Sequence, residues 1–502
     1  MIGRNMFESL ILWLIGVIGV AIVWLVSAYY LDPYEIRQLP TISFWASFTN
    51  LWLGYHNLRH DRFQKIDEAH RKKGHVVRIG PSSVSISDPN AIRDMHGHGT
   101  KIIKGEFYDI ANPSIHQSMA ETRSNYLHHR KRKLLAHVFS AAQVQEVMEP
   151  IVQAKTQLLI DAMDMRQGSV CNMKLWFDYF AYDVISDVLF SDSYDFLRKG
   201  DDICIAETFD GKKYQVHAGY SFQHGATFTA FIGHFSPHVA DIFRVLLKWT
   251  SIKQSSQDFT NMVNYKVNRR LQEKTNDKRD VVSLLNGMSK QELFAECSTL
   301  LNAGNDTTHN SLTNALYLLG SNPDKLNMLR EILDEIPPGD GDVYVYDQLK
   351  DIDYLRACID ETFRVRPAVG FGLPRIIPPE GAYINGRFYK GHLTVSTPIY
   401  TVNRDPNLFH EPEKFIPERW LEGSEEERNN LKTYCLPFLT GSRACIGRNL
   451  AYLEQSVVLA SFVRNFDIQL MDKEPMRIIE RFNANPEKLN VKLFRRVAKA
   501  SI

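Results

Sequence analysis

The chain has 502 residues, and its 59 lysines and arginines nearly balance its 58 aspartates and glutamates, which leaves a formal net charge of +1. This balance argues against a protein that binds nucleic acid through bulk charge, so we expect no nucleic-acid partner. With 44% hydrophobic and 23% charged residues, the composition is typical of a globular protein. The six cysteines are scattered and form no CxxC pair, which excludes a disulfide framework and most zinc modules.

A long apolar segment lies near the start of the chain. Residues 9–31 contain no charged side chain and would form a helix of about 34 Å, enough to cross the core of a bilayer. A secretory signal peptide would have a shorter apolar core, so we predict a single transmembrane anchor at 9–31 behind a short tail at 1–8. A juxtamembrane linker would follow over 32–50 and one large domain over 51–502.

The first part of this domain combines helix and strand signals. Charged residues over 59–73, ended by Gly74, predict a helix, and two alternating runs over 76–87 predict a β-hairpin. From about residue 140 to 333 the spacing of Val, Leu and Ile mostly favours helices, including the phenylalanine-rich region 206–249.

One predicted helix has particularly clear boundaries. Ser289 and Glu292 form a capping box, and the helix that they begin can run over 290–319 and end at Gly320. Asn322-Pro323 then has the form of the cap and first position of the next helix. The sequence therefore predicts one long helix in the middle of the domain and a second directly after it.

The last third of the chain mixes short strands with helices. Residues 347–364 predict another helix, the Gly- and Pro-rich region 374–417 predicts short strands, and a strong helix follows Gly447 up to about Arg464. Two strand-like runs come after it. The sequence has no internal repeats and no clear linker between folded units, so the predicted fold class is mainly α with small β-sheets in one domain.

The sharpest motif is the run FLTGSRACIG, from Phe438 to Gly447. Its cysteine, Cys445, lies two residues after Arg443 and just before a predicted helix. Because a helix N-terminus favours negative charge, this position suits a thiolate, and the glycines let the backbone approach a flat group. An isolated cysteine is more often a small buried core residue, so it is the whole pattern that favours a ligand.

The middle of the long predicted helix carries the run AGNDTT, residues 303–308. Gly304 removes a side chain where a ligand could lie, and Thr307 can donate to the carbonyl of Ala303 and bend the helix locally. Asp306 and Thr307 together provide an acid and a hydroxyl for moving protons. The alternative interpretation is a polar, solvated helix face.

Three further groups of charged residues attract attention. Glu361 and Arg364 share a helix face at i, i+3, and Arg419 lies in the run FIPERW. His128 and Arg132 lie one turn apart in a strongly basic segment. Taken singly, each group has a plain alternative as part of a solvated surface.

In this order, the motifs resemble those of the cytochrome P-450 superfamily, the haem-thiolate monooxygenases, over roughly residues 50 to 495. The runs FYD at 107–109, GFGLPR and GSRACIGRNLA look most like fungal microsomal benzoate para-hydroxylases. The resemblance implies the cytochrome P-450 fold, with haem b as cofactor and Cys445 as the axial ligand of its iron. It assigns further haem-binding residues: Phe438, Arg443, Gly447, His128, Arg132 and Arg375.

The same resemblance implies roles for the remaining motif residues. Asp306 and Thr307 would relay protons to dioxygen at the haem. Three residues would form a buried structural triad behind the haem: Glu361, Arg364 and Arg419. Three basic residues would remain outside as a docking patch for an acidic electron donor: Arg130, Lys131 and Lys133.

The resemblance also implies a reaction and a location. An enzyme of this type inserts one oxygen atom from O2 into a small apolar or aromatic substrate, with NADPH electrons delivered by a cytochrome reductase and a small haem electron carrier as a further donor. Anchored members face the cytosol from the endoplasmic-reticulum membrane, which outweighs a slight excess of positive charge before the span. Two alternatives stay open: an enzyme of secondary metabolism that hydroxylates or epoxidises polyketide or terpenoid scaffolds, and a haem protein without oxygenase activity.

Four segments would line the substrate pocket by resemblance: 102–119, 299–307, 368–373 and 481–483. An aromatic acid would need a polar anchor for its carboxylate, and the sequence identifies none. The phenylalanine-rich region 206–249 would leave room for a larger pocket.

Overall fold

The computed structural model describes residues 12, 16, 19–20, 23, 25–112, 114–273, 279–285, 287–336, 338 and 341–496. The tail at 1–8 and much of the predicted anchor at 9–31 therefore lie outside the described residues. Among the residues that it does describe, none of the helices has the length and apolar character needed to cross a bilayer.

Helices dominate the described part of the chain, as the sequence predicts. The longer ones are α1 Leu51–Leu58, α2 Arg62–Lys73, α3 Asn125–Val138, α4 Glu149–Asp164, α5 Met173–Phe190, α6 Ala218–Ile232, α7 Pro237–Leu246, α8 Ser251–Gln272, α9 Lys290–Ser321, α10 Pro323–Asp334, α11 Asp353–Val365, α12 Glu425–Tyr434 and α13 Arg448–Asn465. Short α-helical segments connect them: Ala91–His96, Phe107–Ala111, Ala141–Gln143, Phe196–Lys199, Val281–Leu284, Tyr346–Leu349 and Ile399–Val402. Other helical turns are the 3-10 segments Phe44–Ser47, Pro417–Trp420 and Gly441–Arg443 and the π-helical Val144–Met148.

The strands are short and form small sheets. They are β1 Val76–Gly80, β2 Ser83–Ile86, β3 Ile103–Lys104, β4 Val170–Asn172, β5 Ile203–Glu207, β6 Lys213–His217, β7 Arg375–Ile376, β8 Ala382–Ile384, β9 Arg387–Tyr389, β10 Thr394–Ser396, β11 Phe466–Leu470, β12 Ile478–Glu480, β13 Ala484–Pro486 and β14 Asn490–Arg495. One sheet has the order β1-β2-β10-β7-β3, and another the order β11-β14-β4. The pairs β5-β6, β8-β9 and β12-β13 are hairpins. In the largest sheet, β10 runs parallel to β2 and antiparallel to β7, which joins the N-terminal hairpin to the chain after residue 375.

Helix α9 runs through the centre of the molecule. It packs against α5, α8, α11 and α13 and buries a row of leucines, among them Leu301, Leu312, Leu316 and Leu319. Because neighbouring helices surround it, the polar residues in its middle are held in the interior, where each needs a partner or a ligand.

The ends of α9 show where local sequence signals work and where they fail. Both halves of the predicted capping box at Ser289 are present. At the other end the helix continues one residue further than predicted, through Gly320 to Ser321. A Cβ on Gly320 would lie 3.1 Å from Cδ2 of Leu470, so this glycine allows close packing against β11. Asn322 donates to the carbonyl of Leu318 at 2.7 Å, so its side chain closes α9 and does not cap α10.

Two further helix predictions are wrong. The region predicted as helix from residue 206 begins with the hairpin β5–β6, whose strand ICIAE alternates buried and accessible residues and whose turn contains Asp210-Gly211. That turn pair is a common hairpin signal. The helix predicted over 347–364 is divided in two, because the backbone of Ile352 is extended and ends the helical pattern before Asp353.

Candidate active site

The cysteine motif forms a tight loop just before α13. The N–H of Cys445 donates to the carbonyl of Phe438 at 2.8 Å, and Gly441 takes a φ of +72°. A Cβ on Gly441 would lie 2.1 Å from the carbonyl oxygen of His96, so only glycine fits there. The side chain of Cys445 is accessible, whereas the other cysteines are buried.

Although accessible, the Cys445 thiol lies deep in the molecule, and burial raises its pKa. The N–H of Gly447 and the charges of Arg132 and Arg448 act in the opposite direction. In the protein alone, burial thus opposes the thiolate that the helix N-terminus was expected to favour. A metal cation bound to the sulfur would displace the proton outright.

Phe438 fixes the loop to the helices behind it. Its ring centroid lies 5.4 Å from that of Phe363 on α11 and 5.2 Å from that of Tyr452 on α13. Gly447 stands at the start of α13, and a Cβ there would lie 3.9 Å from the sulfur of Cys445, an ordinary contact. The protein alone therefore does not require glycine at 447, and its haem-binding role stays a prediction.

Basic side chains from separate parts of the chain converge beside the loop. Nη1 of Arg132 on α3 donates to the carbonyl of Ala444 at 2.7 Å. Arg375 and Arg443 likewise donate to neutral oxygen atoms, and His128 is buried one turn before Arg132. The structure thus brings together all four basic residues that the sequence assigned to the haem.

These basic groups depress one another's pKa values. Burial and the charges of Arg443, Arg132 and Lys104 lower the pKa of His128 to about 4. Burial, followed by the charge of Arg375, lowers the pKa of Arg443 to about 10. Within the described ranges, none of the three arginines forms an ion pair with a carboxylate. Since buried charges are normally paired, the cluster suits an anionic ligand.

Two members of this cluster were missed from the sequence. Lys104 is buried, donates to the carbonyl of Ala120 at 2.6 Å and has its pKa lowered well below the usual range by burial and by Arg375. His96 is also buried, and burial and Arg375 lower its pKa to about 3. A lysine directly after two isoleucines in the predicted pocket segment 102–119 was the available signal for Lys104.

The AGNDTT run lies in the middle of α9. Oγ1 of Thr307 donates to the carbonyl of Ala303 at 2.7 Å, and Ala303 is accessible although other helices surround α9. An accessible residue in such a position marks an internal space. Gly304 does not face this space, contrary to the prediction: a Cβ there would lie 2.7 Å from Cδ1 of Ile185 on α5, so this glycine serves helix packing.

Two contacts bind the cysteine loop and α9 into one site. Next to Arg132, which holds the loop, Lys131 reaches Glu296 on α9 at 2.6 Å. Thr308 on α9 donates to Glu454 on α13 at 2.9 Å. The thiol, the cations and the hydroxyl of Thr307 therefore belong to one rigid framework.

Comparison with known proteins identifies this framework. A family model for cytochrome P450 matches residues 38–493. This chain belongs to the cytochrome P450 family. It is 33% identical to benzoate 4-monooxygenase bphA of Aspergillus niger over 94% of this chain and 96% of the relative. It is 30% identical to cytochrome P450 monooxygenase FCK2 of Fusarium pseudograminearum, over 88% and 78%, and 28% identical to tryprostatin B 6-hydroxylase of Aspergillus fumigatus, over 86% and 74%.

The predicted enzyme class, a cytochrome P450 monooxygenase, is thereby confirmed. The P450 family implies a haem with a cysteine thiolate ligand. The residues of this chain fit that group: an accessible sulfur suits the iron, and a cluster of cations without carboxylate partners suits the two haem propionates.

Behind the loop, this P450 has a second charged cluster, centred on Glu361. Arg364 donates to both carboxylate oxygens of Glu361 at 2.8 Å, and Nε of Arg419 donates at 3.0 Å. The indole N–H of Trp420 and the backbone N–H of Ile416 complete the shell at 3.0 and 2.9 Å. The structure brings the three triad residues together and adds Trp420, which the sequence did not single out.

Asp306 has surroundings different from those of Thr307. Its carboxylate is buried and accepts from Nδ2 of Asn483 at 2.5 Å and of Asn485 at 3.2 Å, both from the β12–β13 hairpin. Thr307 instead lies on the accessible side of α9. A proton relay through both residues stays a prediction, and it requires the carboxylate to leave these amides.

The predicted docking patch on α3 is wrong for Lys131, which is buried against Glu296 on α9. Arg130 and Lys133 are exposed, as predicted, and Arg130 pairs with Glu292 at 3.1 Å. Basic residues do occur around a groove of about 1230 Å³ on the other side of the cysteine loop, which Phe438 also lines. They are Arg93, Lys350, Arg356, Lys432 and Arg448.

Three of the predicted pocket segments meet through aromatic rings. Phe482 lies 6.2 Å from Phe107 and 6.0 Å from Phe371 between ring centroids. Arg62 stacks over Phe371 at 3.7 Å, but it is fully buried and paired with Glu480, so it is not free to bind a substrate carboxylate. We call the region around Phe107, Phe371 and Phe482 the aromatic space. None of the residues named here provides a charged anchor in it.

Proposed function

We propose that this P450 is a membrane-anchored monooxygenase that inserts one oxygen atom from O2 into a small apolar or aromatic organic substrate, with electrons from NADPH delivered by a cytochrome reductase. The observation that carries the proposal is the accessible thiol of Cys445 beside a buried group of cations without carboxylate partners.

The residues of the chain would divide the work as follows. Cys445 would hold the iron, and Arg132, Arg375, Arg443 and His128 would hold the propionates by charge-assisted hydrogen bonds. Bound through a thiolate, haem supplies the activation of O2, because the thiolate pushes electron density towards the iron and favours cleavage of the O–O bond.

Thr307 would hold a proton donor beside the reacting oxygen. Its hydroxyl lies on the accessible side of α9, and its own proton is engaged by the carbonyl of Ala303, so its oxygen is free to accept from water. Asp306, the next residue, would supply the proton once its carboxylate is free of the asparagines.

The aromatic rings of Phe107, Phe371 and Phe482 support a small apolar or aromatic substrate. A relative over nearly the whole chain is named for benzoate, which supports an aromatic ring as the target. The alternative is a larger scaffold of secondary metabolism, supported by the relative named tryprostatin B 6-hydroxylase. The phenylalanines of region 206–249 give it no support, because Phe231, Phe235 and Phe243 pack on one another.

A membrane position is supported by an apolar surface as well as by the sequence of 9–31. On and after α7, Val245, Leu246 and Trp249 are exposed, the last by 88%. Phe44 and Trp45, close to the predicted anchor, are exposed as well. Large exposed apolar side chains of this kind suit contact with lipid. We infer a single-pass protein of the endoplasmic-reticulum membrane with its catalytic domain in the cytosol.

Electron delivery is supported by the basic groove behind the cysteine loop. Its arginines and lysines outnumber the three aspartates that also line it, Asp94, Asp353 and Asp360, and this excess suits an acidic electron donor, either the reductase or a small haem electron carrier. The groove reaches Phe438, so a donor docked there would lie close to the loop that holds Cys445.

The proposal is tested by reconstituting the purified protein with a fungal cytochrome reductase and NADPH. NADPH consumption, hydrogen peroxide and oxidised product are measured together over a panel of benzoates, alkylbenzenes and larger polyketides. We expect product from the small aromatics. Haem binding without oxidised product from any panel member would contradict it and favour a haem protein without oxygenase activity.

The proton step has its own test, Thr307→Ala. Since this change removes little volume, haem and substrate binding should stay as in the wild type, while the ratio of product to NADPH falls and peroxide rises. An unchanged ratio would mean that the threonine serves only packing.

The anchor is tested by deleting residues 1–31, which should release the haem-loaded protein from membranes at least in part.

A further inference from the structure

The carboxylate of Asp306 is tied to the hairpin β12–β13 by amide hydrogen bonds. Nδ2 of Asn483 lies 2.5 Å from Oδ2, and Nδ2 of Asn485 lies 3.2 Å from Oδ1. Asn310, one turn along α9, adds a longer contact of 3.4 Å. All four residues are buried. The acid of the AGNDTT run therefore depends on a distant part of the chain for its orientation.

The turn of this hairpin also reaches the aromatic space. Phe482, the residue before Asn483, has partial exposure and contacts Phe107 and Phe371. In a tight turn, where the N–H of Arg481 donates to the carbonyl of Asn483 at 2.9 Å, neighbouring residues cannot move independently. A molecule that displaces Phe482 must therefore also move Asn483.

The two strands of the hairpin are fixed, so movement would be confined to the turn. At one end, Glu480 pairs with Arg62, and its N–H donates to His60 at 3.1 Å. At the other end, the N–H of Ala484 donates to the carbonyl of Ala368 at 2.7 Å. Displacement of Phe482 would act on Asn483 before it disturbed either strand.

The polar network around Asp306 has acceptors to spare. Nε2 of His309 lies 3.8 Å from Oδ1 of Asp306, and it has no hydrogen-bond partner among the described residues. The side-chain oxygen of Asn310 also has none there. Because Nδ1 of His309 donates to the carbonyl of Asn305 at 3.0 Å, Nε2 of the neutral ring is an acceptor, and both atoms can accept from the carboxyl of Asp306 when it carries a proton.

We propose that Asn483 is a positioning residue that holds Asp306 while Phe482 packs against Phe107 and Phe371, and releases it when a bound aromatic molecule displaces Phe482. This rests on the proposed function, since release matters only if Asp306 carries protons towards Thr307. Those protons come from bulk water. In each transfer the proton leaves one oxygen atom and binds another, and no other bond changes. Proton delivery thus waits for substrate.

The first test compares Asn483→Leu with Asn490→Leu. Nδ2 of Asn490 on β14 donates to the carboxylate of Asp472 at 3.3 Å. Among the described residues, this side chain forms no hydrogen bond to α9. Without substrate, the Asn483→Leu variant should oxidise NADPH about tenfold faster than the wild type. This factor corresponds to the loss of one hydrogen bond to a charged group. Asn490→Leu should match the wild type.

Two results of that experiment would overturn the proposal. A substrate-free rate within about twofold of the wild type, the noise left by non-additive effects, would mean that Asn483 holds nothing back. A fall in the product-to-NADPH ratio with substrate, as in Thr307→Ala, would mean that Asn483 orients Asp306 for reaction and does not restrain it.

The second test does not depend on activity. Crystal structures of the haem-loaded protein are compared with and without 4-phenylimidazole, whose nitrogen binds haem iron and whose ring would fill the aromatic space. The distance from Nδ2 of Asn483 to Oδ2 of Asp306 should lengthen from 2.5 Å to beyond about 3.5 Å. A contact unchanged by the bound ligand overturns the proposal. Absence of any shift in the haem absorption spectrum would instead contradict the proposed function.

Discussion

Two buried charged clusters lie on either side of the cysteine loop, and they are built in opposite ways. The cluster around Glu361 contains its own counter-charges: two guanidinium groups, an indole and a backbone N–H surround one carboxylate. The cluster around Arg443 contains basic groups alone: its arginines have no carboxylate partner among the described residues, and burial and their neighbours lower the pKa values of Arg443, His128 and Lys104.

The presence or absence of a carboxylate partner distinguishes a cluster that supports the fold from one that is suited to bind a ligand. In the Glu361 cluster the carboxylate is fully surrounded by donors, and the two arginines also donate to the backbone carbonyls of Asn403 and His410, so this cluster contributes to the fold. A buried group of like charges opposes folding and persists where something else neutralises it. We therefore propose that the uncompensated cluster binds the cofactor and that the cluster around Glu361 supports it from behind. Both statements can be tested by substitution.

The largest effect is expected at the centre of the uncompensated cluster. Cys445→Ser should abolish the thiolate-type absorption band of the carbon monoxide complex and all product, since a hydroxyl does not replace a thiolate on the iron. The matched control is Cys435→Ser, in a separate apolar cluster with Phe409 and Trp420. A thiolate-type band that survives in Cys445→Ser would show that another residue is the ligand.

Removing the centre of the compensated cluster should cost stability. Glu361→Ala leaves Arg364 and Arg419 buried without their carboxylate, so the free energy of unfolding should fall by about 3–5 kcal/mol. The control is Glu68→Ala, whose half-exposed carboxylate pairs with the half-exposed Lys65 and whose loss should cost under about 1 kcal/mol. The measurement is denaturant unfolding, and equal losses in the two variants would end the distinction.

Glu454 offers an intermediate case, a buried carboxyl with a hydroxyl partner. Burial raises its pKa to about 8, against the weaker opposite effect of the Thr308 hydroxyl. Between pH 4.5 and 8 the folded state then binds more protons than the unfolded state, so this group makes stability fall as pH rises, by at most ~1.4 kcal/mol per pH unit.

Glu454→Gln should remove that slope. Between pH 5 and pH 8, its free energy of unfolding should therefore fall less than that of the wild type. Unfolding free energies measured across this range in both proteins give the comparison. Glu426→Gln, on the exposed face of α12, should keep the wild-type slope. If Glu454→Gln keeps it too, the carboxyl is already ionised in the folded protein.

The smallest effect is expected at the edge of the uncompensated cluster. Arg375→Leu removes one cation from the propionates, so haem should leave the protein about tenfold faster, as for one lost charge-assisted hydrogen bond. Without haem, the variant should be no less stable than the wild type, because a repulsive neighbour of Arg443 is gone. Haem transfer to apomyoglobin and unfolding of the haem-free protein measure the two quantities, with Lys133→Leu as an exposed control.

A loss of apoprotein stability in Arg375→Leu as large as that in Glu361→Ala would remove the contrast between the clusters. Arg375 would then belong to the supporting structure, and its hydrogen bonds to Pro374 and Tyr108 would be what the fold requires.

Local motifs account for most of what could be predicted. The capping box at Ser289, the hydrogen bond of Thr307 to Ala303 and the hairpin over 76–87 follow from spacing alone and occur as expected. Motif order also identified the family correctly. The β5–β6 hairpin was missed because its surroundings were mainly helical, although the Asp210-Gly211 pair was readable.

The failures share one physical cause, which is the direction of a side chain. Lys131 was expected to point outwards, but its position on α3 turns it towards α9, where it pairs with Glu296. Gly304 was expected to face a ligand and faces Ile185 instead. A periodic pattern shows which residues share a helix face, while the rotation of that helix in the molecule depends on what packs against it.

The sequence by itself determined the chemistry of this protein: a cysteine in a glycine-rich loop, an acid and a hydroxyl in a long helix, and a set of arginines with defined spacing. These depend on residue type and local backbone geometry. Only the tertiary structure decided which charges are compensated, that Lys104 and His96 join the basic residues, and that Asn483 holds Asp306. Burial and charge pairing arise between segments far apart in the chain, and packing alone brings those segments into contact.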